Sequence, residues 1–211
     1  MENRYLTVEN PAEAEIVEKR SRFIATVKPV TVEADATAFL DELRQKYWNA
    51  THNVYAYVIR NNQIQRYSDD GEPSGTAGVP VLDCLKKEGL HDLIVVVTRY
   101  FGGVLLGTGG LVHAYSKAAR AGIDAAGRLE MLRCRRIHIG CAYTELGKIE
   151  HEIRSWNHIS EEIEYTDRVV LPVCIPVEDA ERFCAAITEK TNGAAVLKQG
   201  EELYKSRKLI V

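Results

Sequence analysis

Two stretches of the chain gather the residue types that do chemistry. In Ser68-Asp69-Asp70-Gly71-Glu72-Pro73-Ser74-Gly75-Thr76-Ala77-Gly78, three carboxylates stand among hydroxyls and glycines. In Thr98-Arg99-Tyr100-Phe101-Gly102-Gly103-Val104-Leu105-Leu106-Gly107-Thr108-Gly109-Gly110-Leu111, a guanidinium and two aromatics precede five glycines. Ordering a glycine costs more backbone entropy than ordering any other residue, so this density suggests a backbone shaped to a purpose. Arg99 carries the planar fork that grips an oxyanion bidentately. A glycine turn opening a helix leaves N–H groups at the positive end of the helix dipole, which suits a small anion. A tight strand-to-helix turn packed on a sheet needs the same glycines.

Standard cofactor motifs are not met. Gly102-x-x-x-x-Gly107 has the spacing of a phosphate loop, but Thr108 stands where that motif needs lysine. After Gly107-Thr108-Gly109, the third glycine position of a dinucleotide fingerprint holds Val112. Asp69, Asp70 and Glu72 are hard oxygen donors suited to a divalent cation, yet the full calcium loop with its terminal Glu is absent. Aspartates in such loops also cap backbone N–H groups as Asx turns, and that is the expectation for Asp69. His52, in Thr51-His52-Asn53, has the chemistry of an acid or base and equally that of a polar strand-end cap. Ser74-Gly75 lacks the strand-to-helix elbow of a nucleophilic serine. Tyr55, Tyr57, Tyr67, Tyr100 and Phe101 could stack bases or simply pack a core.

These groups must be held by regular elements. Tyr5 to Val8 reads as a short strand, followed by a polar stretch around Pro11. Arg22 to Lys28 alternates as a strand, and Thr31 is placed to cap a helix carrying Phe39, Leu40, Leu43 and Tyr47. Asn53–Ile59 and Ile64–Tyr67 flank Asn61-Asn62 as a hairpin. Pro80 opens a helix that Gly89 ends. Leu93–Thr98, continuous and β-branched, reads as a strand buried on both faces. The glycine loop then feeds a helix from about Leu111 to Ala126, rich in small side chains and ended by Gly127.

From Leu132 the pattern restarts. Arg133–Cys141 is strand-like, Thr144 caps a helix to about Trp156, and Ile159–Tyr165 with Val169–Ile175 form a hairpin. Pro176 opens a helix ending at Asn192-Gly193, and Ala195 to about Leu203 is a final strand. The order βαββαβ is the ferredoxin-like split. The expected division is 1–130 and 131–211, in the α+β class.

Composition is that of an ordinary globular protein, and the net charge of −3 gives no global field toward nucleic acid or anionic membrane. No apolar run is long enough to span a bilayer, and the N-terminus lacks a signal-peptide run. Cys84, Cys134, Cys141, Cys174 and Cys184 stand singly in apolar patterns, as reduced thiols in a cytoplasmic protein do.

At the two loops the sequence resembles the IMPACT/YigZ family. The carrying segments are Ser21-Arg22-Phe23, Ala50 to Tyr57, Asp69 to Gly78, Arg99 to Gly103, Gly107 to Leu111, and Ala114-Tyr115-Ser116. The resemblance implies an N-terminal βαβ domain of the ribosomal-protein and GHMP-kinase-like kind. It also implies a C-terminal ferredoxin-like domain similar to domain V of elongation factor G. Eukaryotic members regulate translation by competing for a kinase activator through an additional RWD domain, which this chain lacks. Where many relatives have lysine and arginine, this chain has Leu105 and His113, which weakens phosphate binding beside the loop.

The expected function is therefore a non-enzymatic binding protein tied to translation or stress regulation, contacting RNA, ribosome or a protein, with no membrane association. The expected ligand-binding face comprises His52, Asn53, Asp70, Glu72, Arg99, Tyr100, Gly102, Gly103, Gly107, Thr108, Gly109 and Gly110. No catalytic residue, metal or cofactor is assigned. A small anion at the glycine loop, and an enzyme acting on a phosphorylated or carboxylated substrate, are the alternatives. On the binding reading, Arg99→Ala should leave stability nearly unchanged.

Overall fold

The computed structural model describes residues 3–158 and 160–208. It divides into one unit centred on Tyr5–Glu130 and another on Met131–Arg207. The first contains β1 (Arg4–Val8), β2 (Ala12–Glu18), β3 (Ser21–Pro29), α1 (Glu33–Lys46), β4 (His52–Ile59), β5 (Ile64–Ser68), α2 (Gly78–Lys87), β6 (Leu93–Tyr100) and α3 (Gly107–Ala126). The second contains β7 (Arg128–Cys141), α4 (Leu146–Ser155), β8 (Glu164–Tyr165), β9 (Val169–Pro176), α5 (Ala180–Lys190) and β10 (Val196–Lys208). The protein is an α+β chain.

In the first unit the sheet order is β2-β3-β6-β4-β5, with every neighbouring pair antiparallel. β6 lies at the centre, and its unbroken apolar sequence follows from having helices on both faces. Leu93, Val95 and Val97 enter the core shared with α2 and α3, while Ile94 and Val96 enter the core under α1. Alanines on α3 let that helix approach the sheet closely. At Gly122 even a methyl group would stand 2.9 Å from Ala25 and Val27 side-chain carbons on β3.

Several element ends differ from the sequence reading. The polar stretch around Pro11 leads into β2, whose alternating pattern Ala12-Glu13-Ala14-Glu15-Ile16 is a strand despite residues of low β propensity. Its glutamates are held outward: Glu13 accepts from Lys46 and Tyr47, and Glu15 pairs with Arg22. Neither Thr31 nor Thr144 caps its helix; the N-cap positions are Val32 and Glu145, without side-chain caps. The positive φ between β4 and β5 falls on Gln63 rather than on an asparagine. α2 begins at Gly78, two residues before Pro80. Pro176 ends β9, and α5 starts only at Ala180. Ile159, where the sequence reading starts a strand, lies outside the described residues; β8 itself is only Glu164–Tyr165.

Among the strands of the second unit β7 pairs both β10 and β9, and β9 pairs β8, the pairings of a ferredoxin-like βαββαβ split. Ile137, Ile139, Leu171, Val173, Phe183 and Ile187 join in its core, and Trp156 meets Phe183 edge-on. Outside that core, Glu161 ties β10 to β7. It accepts from Lys205 at 2.7 Å and lies 3.0 Å from Arg136 Nε. Lys205 first, with Cys174 and Arg136 adding, holds the Glu161 carboxyl down to about 2, against an opposing effect of burial. A carboxylate depressed in the folded state stabilises above its unfolded pKa and loses that contribution as pH falls through its folded value. The second unit should therefore lose stability between pH 4.5 and about 2. Following Trp156 fluorescence in a Trp48→Phe background, Glu161→Gln should be less stable at neutral pH and show a flatter dependence across that window.

Candidate functional site

The end of β6 brings the two unusual loops together. Strand register places Arg99 between Phe23 on β3 and His52 on β4. Its side chain turns inward and is only 5% exposed. Arg99 Nη1 donates to Glu72 Oε1 at 2.5 Å, joining the base of the glycine loop to the acidic loop. The same oxygen accepts from the Tyr115 hydroxyl of α3 at 2.8 Å. Burial, reinforced by the Glu72 charge, pushes the Tyr115 hydroxyl up, so it stays protonated and remains a donor. Phe23 and Phe101 rings flank the guanidinium at 5.3 and 5.6 Å. Arg99 Nη2 lies 3.4 Å from Ser21 Oγ, whose oxygen also accepts from Gly102 N–H.

The acidic residues divide among separate tasks. Asp69 accepts from the N–H groups of Gly75, Ala77 and Gly78, so it folds the loop and caps the start of α2. Asp70 takes a positive φ of 44° and accepts from Asn53 N–H. Its carbonyl lies 2.8 Å from His52 Nδ1; a carbonyl only accepts, so Nδ1 carries a proton. His52 Nε2 then faces Glu72 at 3.7 Å. Asn53 is buried and accepts from Thr98. Among the described residues, no group of His, Cys, Asp and Glu side chains gathers to hold a metal.

Outside this bracket the glycine loop is exposed. Gly102 crosses Arg20 so closely that a Cβ would lie 2.1 Å from its carbonyl carbon and oxygen. Beyond it Phe101, Val104, Leu105 and Val112 all stand in solvent, Leu105 at 83% exposure. α3 starts at Gly107 without a side-chain cap, and Gly107, Thr108 and Gly109 are exposed. Its first N–H groups have no acceptor within the helix.

Eleven of the twelve residues of the expected face thus separate into two sets, with Tyr100 in neither. His52, Asn53, Asp70, Glu72 and Arg99 satisfy one another around the buried pair. Gly103, Gly107, Thr108 and Gly109 are open, Gly102 and Gly110 partly so. Tyr100 bonds Asn49 and lies under Arg22. Tyr57 is buried against Glu33, not displayed for stacking. Ser21 and Tyr115 complete the cluster and were not among the expected site residues. A lone aromatic residue in the small-residue helix 114–126 was the available signal for Tyr115. Arg136 and its neighbours, basic in sequence, are answered within the second unit: Arg133 and Arg135 by Glu202, Arg136 by Glu161 and Glu201.

Comparisons with known proteins agree with this architecture. The Impact N-terminal domain model matches residues 19–123, and a domain of unknown function (DUF1949) matches 139–194. IMPACT family member YvyE of Bacillus subtilis (strain 168) is 44% identical over 205 residues, covering 97% of this chain and 94% of the relative. IMPACT family member YigZ of Escherichia coli (strain K12) is 32% identical, covering 87% and 92%. Protein IMPACT-A of Xenopus tropicalis is 38% identical over 104 residues, covering 46% of this chain and 32% of that protein. A solved structure titled "Crystal structure of an hypothetical protein" is similar at TM-score 0.60 and 30% identity, covering 95% of this chain and 99% of that one. An α+β sheet unit with a paired acidic and glycine loop, followed by a ferredoxin-like unit, defines the class. The chain belongs to the IMPACT family.

The buried pair corrects the expectation that Arg99 is dispensable for stability. Arg99→Ala strands the Glu72 carboxylate out of water and should cost about 3–5 kcal/mol in urea unfolding. Combining Arg99→Met with Glu72→Gln should recover part of that loss, because no uncompensated charge remains.

Proposed function

We propose that this protein is a non-enzymatic binding protein acting in translation or stress regulation, through contacts with ribosome, RNA or a translation-related protein. The observation that carries this reading is the outward face of the glycine loop. Phe101, Val104, Leu105 and Val112 crowd exposed apolar surface into a short segment whose base is locked by the buried Arg99–Glu72 pair. Exposed apolar surface gathered in one place is a mark of an interaction site. A rigid base beneath it reduces the ordering cost of binding.

The enzymatic alternative needs groups free to bind an anion and move a proton. Arg99 is committed to Glu72, and the imidazole N–H of His52 to the Asp70 carbonyl. A small anion at the start of α3 would depend on backbone N–H groups without that guanidinium. The chain resembles the eukaryotic IMPACT proteins over the Impact domain alone.

Leu105→Asp changes a fully solvated side chain and should leave the folding free energy within about 0.5 kcal/mol of wild type. In sucrose gradients with ribosomes at moderate salt, the wild type should co-sediment and Leu105→Asp should remain near the top. Equal co-sedimentation of both proteins removes the loop from the contact, and absence of co-sedimentation by the wild type removes the ribosome.

A further inference from the structure

We propose that the outer face of α3 holds the phosphodiester backbone of RNA, with Lys117 and Arg120 as the principal contacts and His113 extending them toward the glycine loop. The inference rests on the binding reading above but uses a different surface. His113, Lys117 and Arg120 recur at helical spacing, so they share one stripe. With Ser116, Ala121 and Asp124 they line an open groove of about 360 Å³. All three are exposed. Asp124, the carboxylate in the groove lining, is paired with Arg128, which also holds Glu88.

This separates the α3 stripe from the other basic segments, Arg133 to Arg136 and Lys205, whose charges are answered by Glu161, Glu201 and Glu202. At 1.5 Å rise per residue the stripe from His113 to Arg120 is about 10 Å long. That length faces about two or three successive phosphates of one strand. An open, linear arrangement suits a polyanion lying along it, whereas a small anion is normally enclosed. The aliphatic stems of Lys117 and Arg120 can line the groove floor while their charged ends reach the phosphates. Choosing RNA over DNA follows from the translation-linked reading.

The test is fluorescence anisotropy with oligouridine of about 20 nucleotides and the matching deoxy-oligomer, across about 50–200 mM salt. Wild type should bind the RNA with salt-dependent affinity. Lys117→Gln/Arg120→Gln should melt like wild type, bind about tenfold more weakly at low salt, and show a log-log salt slope shallower by about 1.4, the value for two lost phosphate contacts. An unchanged affinity and slope in the double variant overturns the proposal, as does absence of RNA binding by the wild type. Equal or tighter binding of the deoxy-oligomer overturns the assignment to RNA. Leu105→Asp separates the two readings: loss of ribosome co-sedimentation with RNA affinity intact leaves the α3 proposal standing. RNA binding lost only with the α3 stripe, while ribosome binding stays, breaks the link between them.

Discussion

A guanidinium and a carboxylate removed from water must answer each other, because either alone carries a desolvation penalty of several kcal/mol. Arg99 and Glu72 are in this position, and much of the first unit is arranged around meeting that demand. Glu72 enters the interior only because the acidic loop folds back, and it does so through the three backbone donors that Asp69 collects. Tyr115 supplies a further hydrogen bond from α3, and Ser21 ties the end of β3 to both Arg99 and Gly102. One buried pair thus fixes two loops, two strands and a helix against each other. Buried ion pairs are weak evidence for net stability. Their stronger effect here is to leave one geometry in which both charges are satisfied.

This arrangement reverses the division suggested by residue type. Glu72 and Arg99, the charged pair of the two loops, face inward, while Phe101, Val104 and Leu105 face solvent. Gly102 is required where the loop crosses Arg20, not for a ligand, since the space a Cβ would take is already backbone. The outward side of the glycine loop is consequently apolar at Phe101, Val104 and Leu105.

The architecture was legible where one physical signal dominated. The β6 run had to be covered on both faces, and the glycine stops at Gly89, Gly127 and Gly193 all take positive φ. The second unit's βαββαβ order followed from strand and helix periods alone. β2 was missed because Glu and Ala argue against a strand, and only alternation argued for it. Thr31 and Thr144 looked like caps by type, but capping depends on side-chain geometry at the helix start. The site was legible in its membership more than in its meaning. His52, Asp70, Glu72 and Arg99 do assemble, yet a sequence does not say whether an arginine points into a core or out to a ligand. Burial decides that, and burial depends on the pairing of β3, β4 and β6, whose register is set by the whole sheet.

A net charge of −3 conceals an uneven distribution. The most basic segment of the sequence, Arg133-Cys134-Arg135-Arg136, contributes little positive field because the neighbouring strand β10 carries Glu201 and Glu202 opposite it, with Glu161 completing the set. Lys117 and Arg120 are less conspicuous, being separated in sequence among alanines, but the helix aligns them, and the Asp124 beside them is paired with Arg128. Charge density along a chain is therefore a poor guide to charge density on a surface. In a β ladder, opposite charges are brought face to face and cancel; on a helix flanked by small residues, like charges one or two turns apart line up and add. On α3 the one acid beside Lys117 and Arg120 in the groove, Asp124, is itself paired with Arg128.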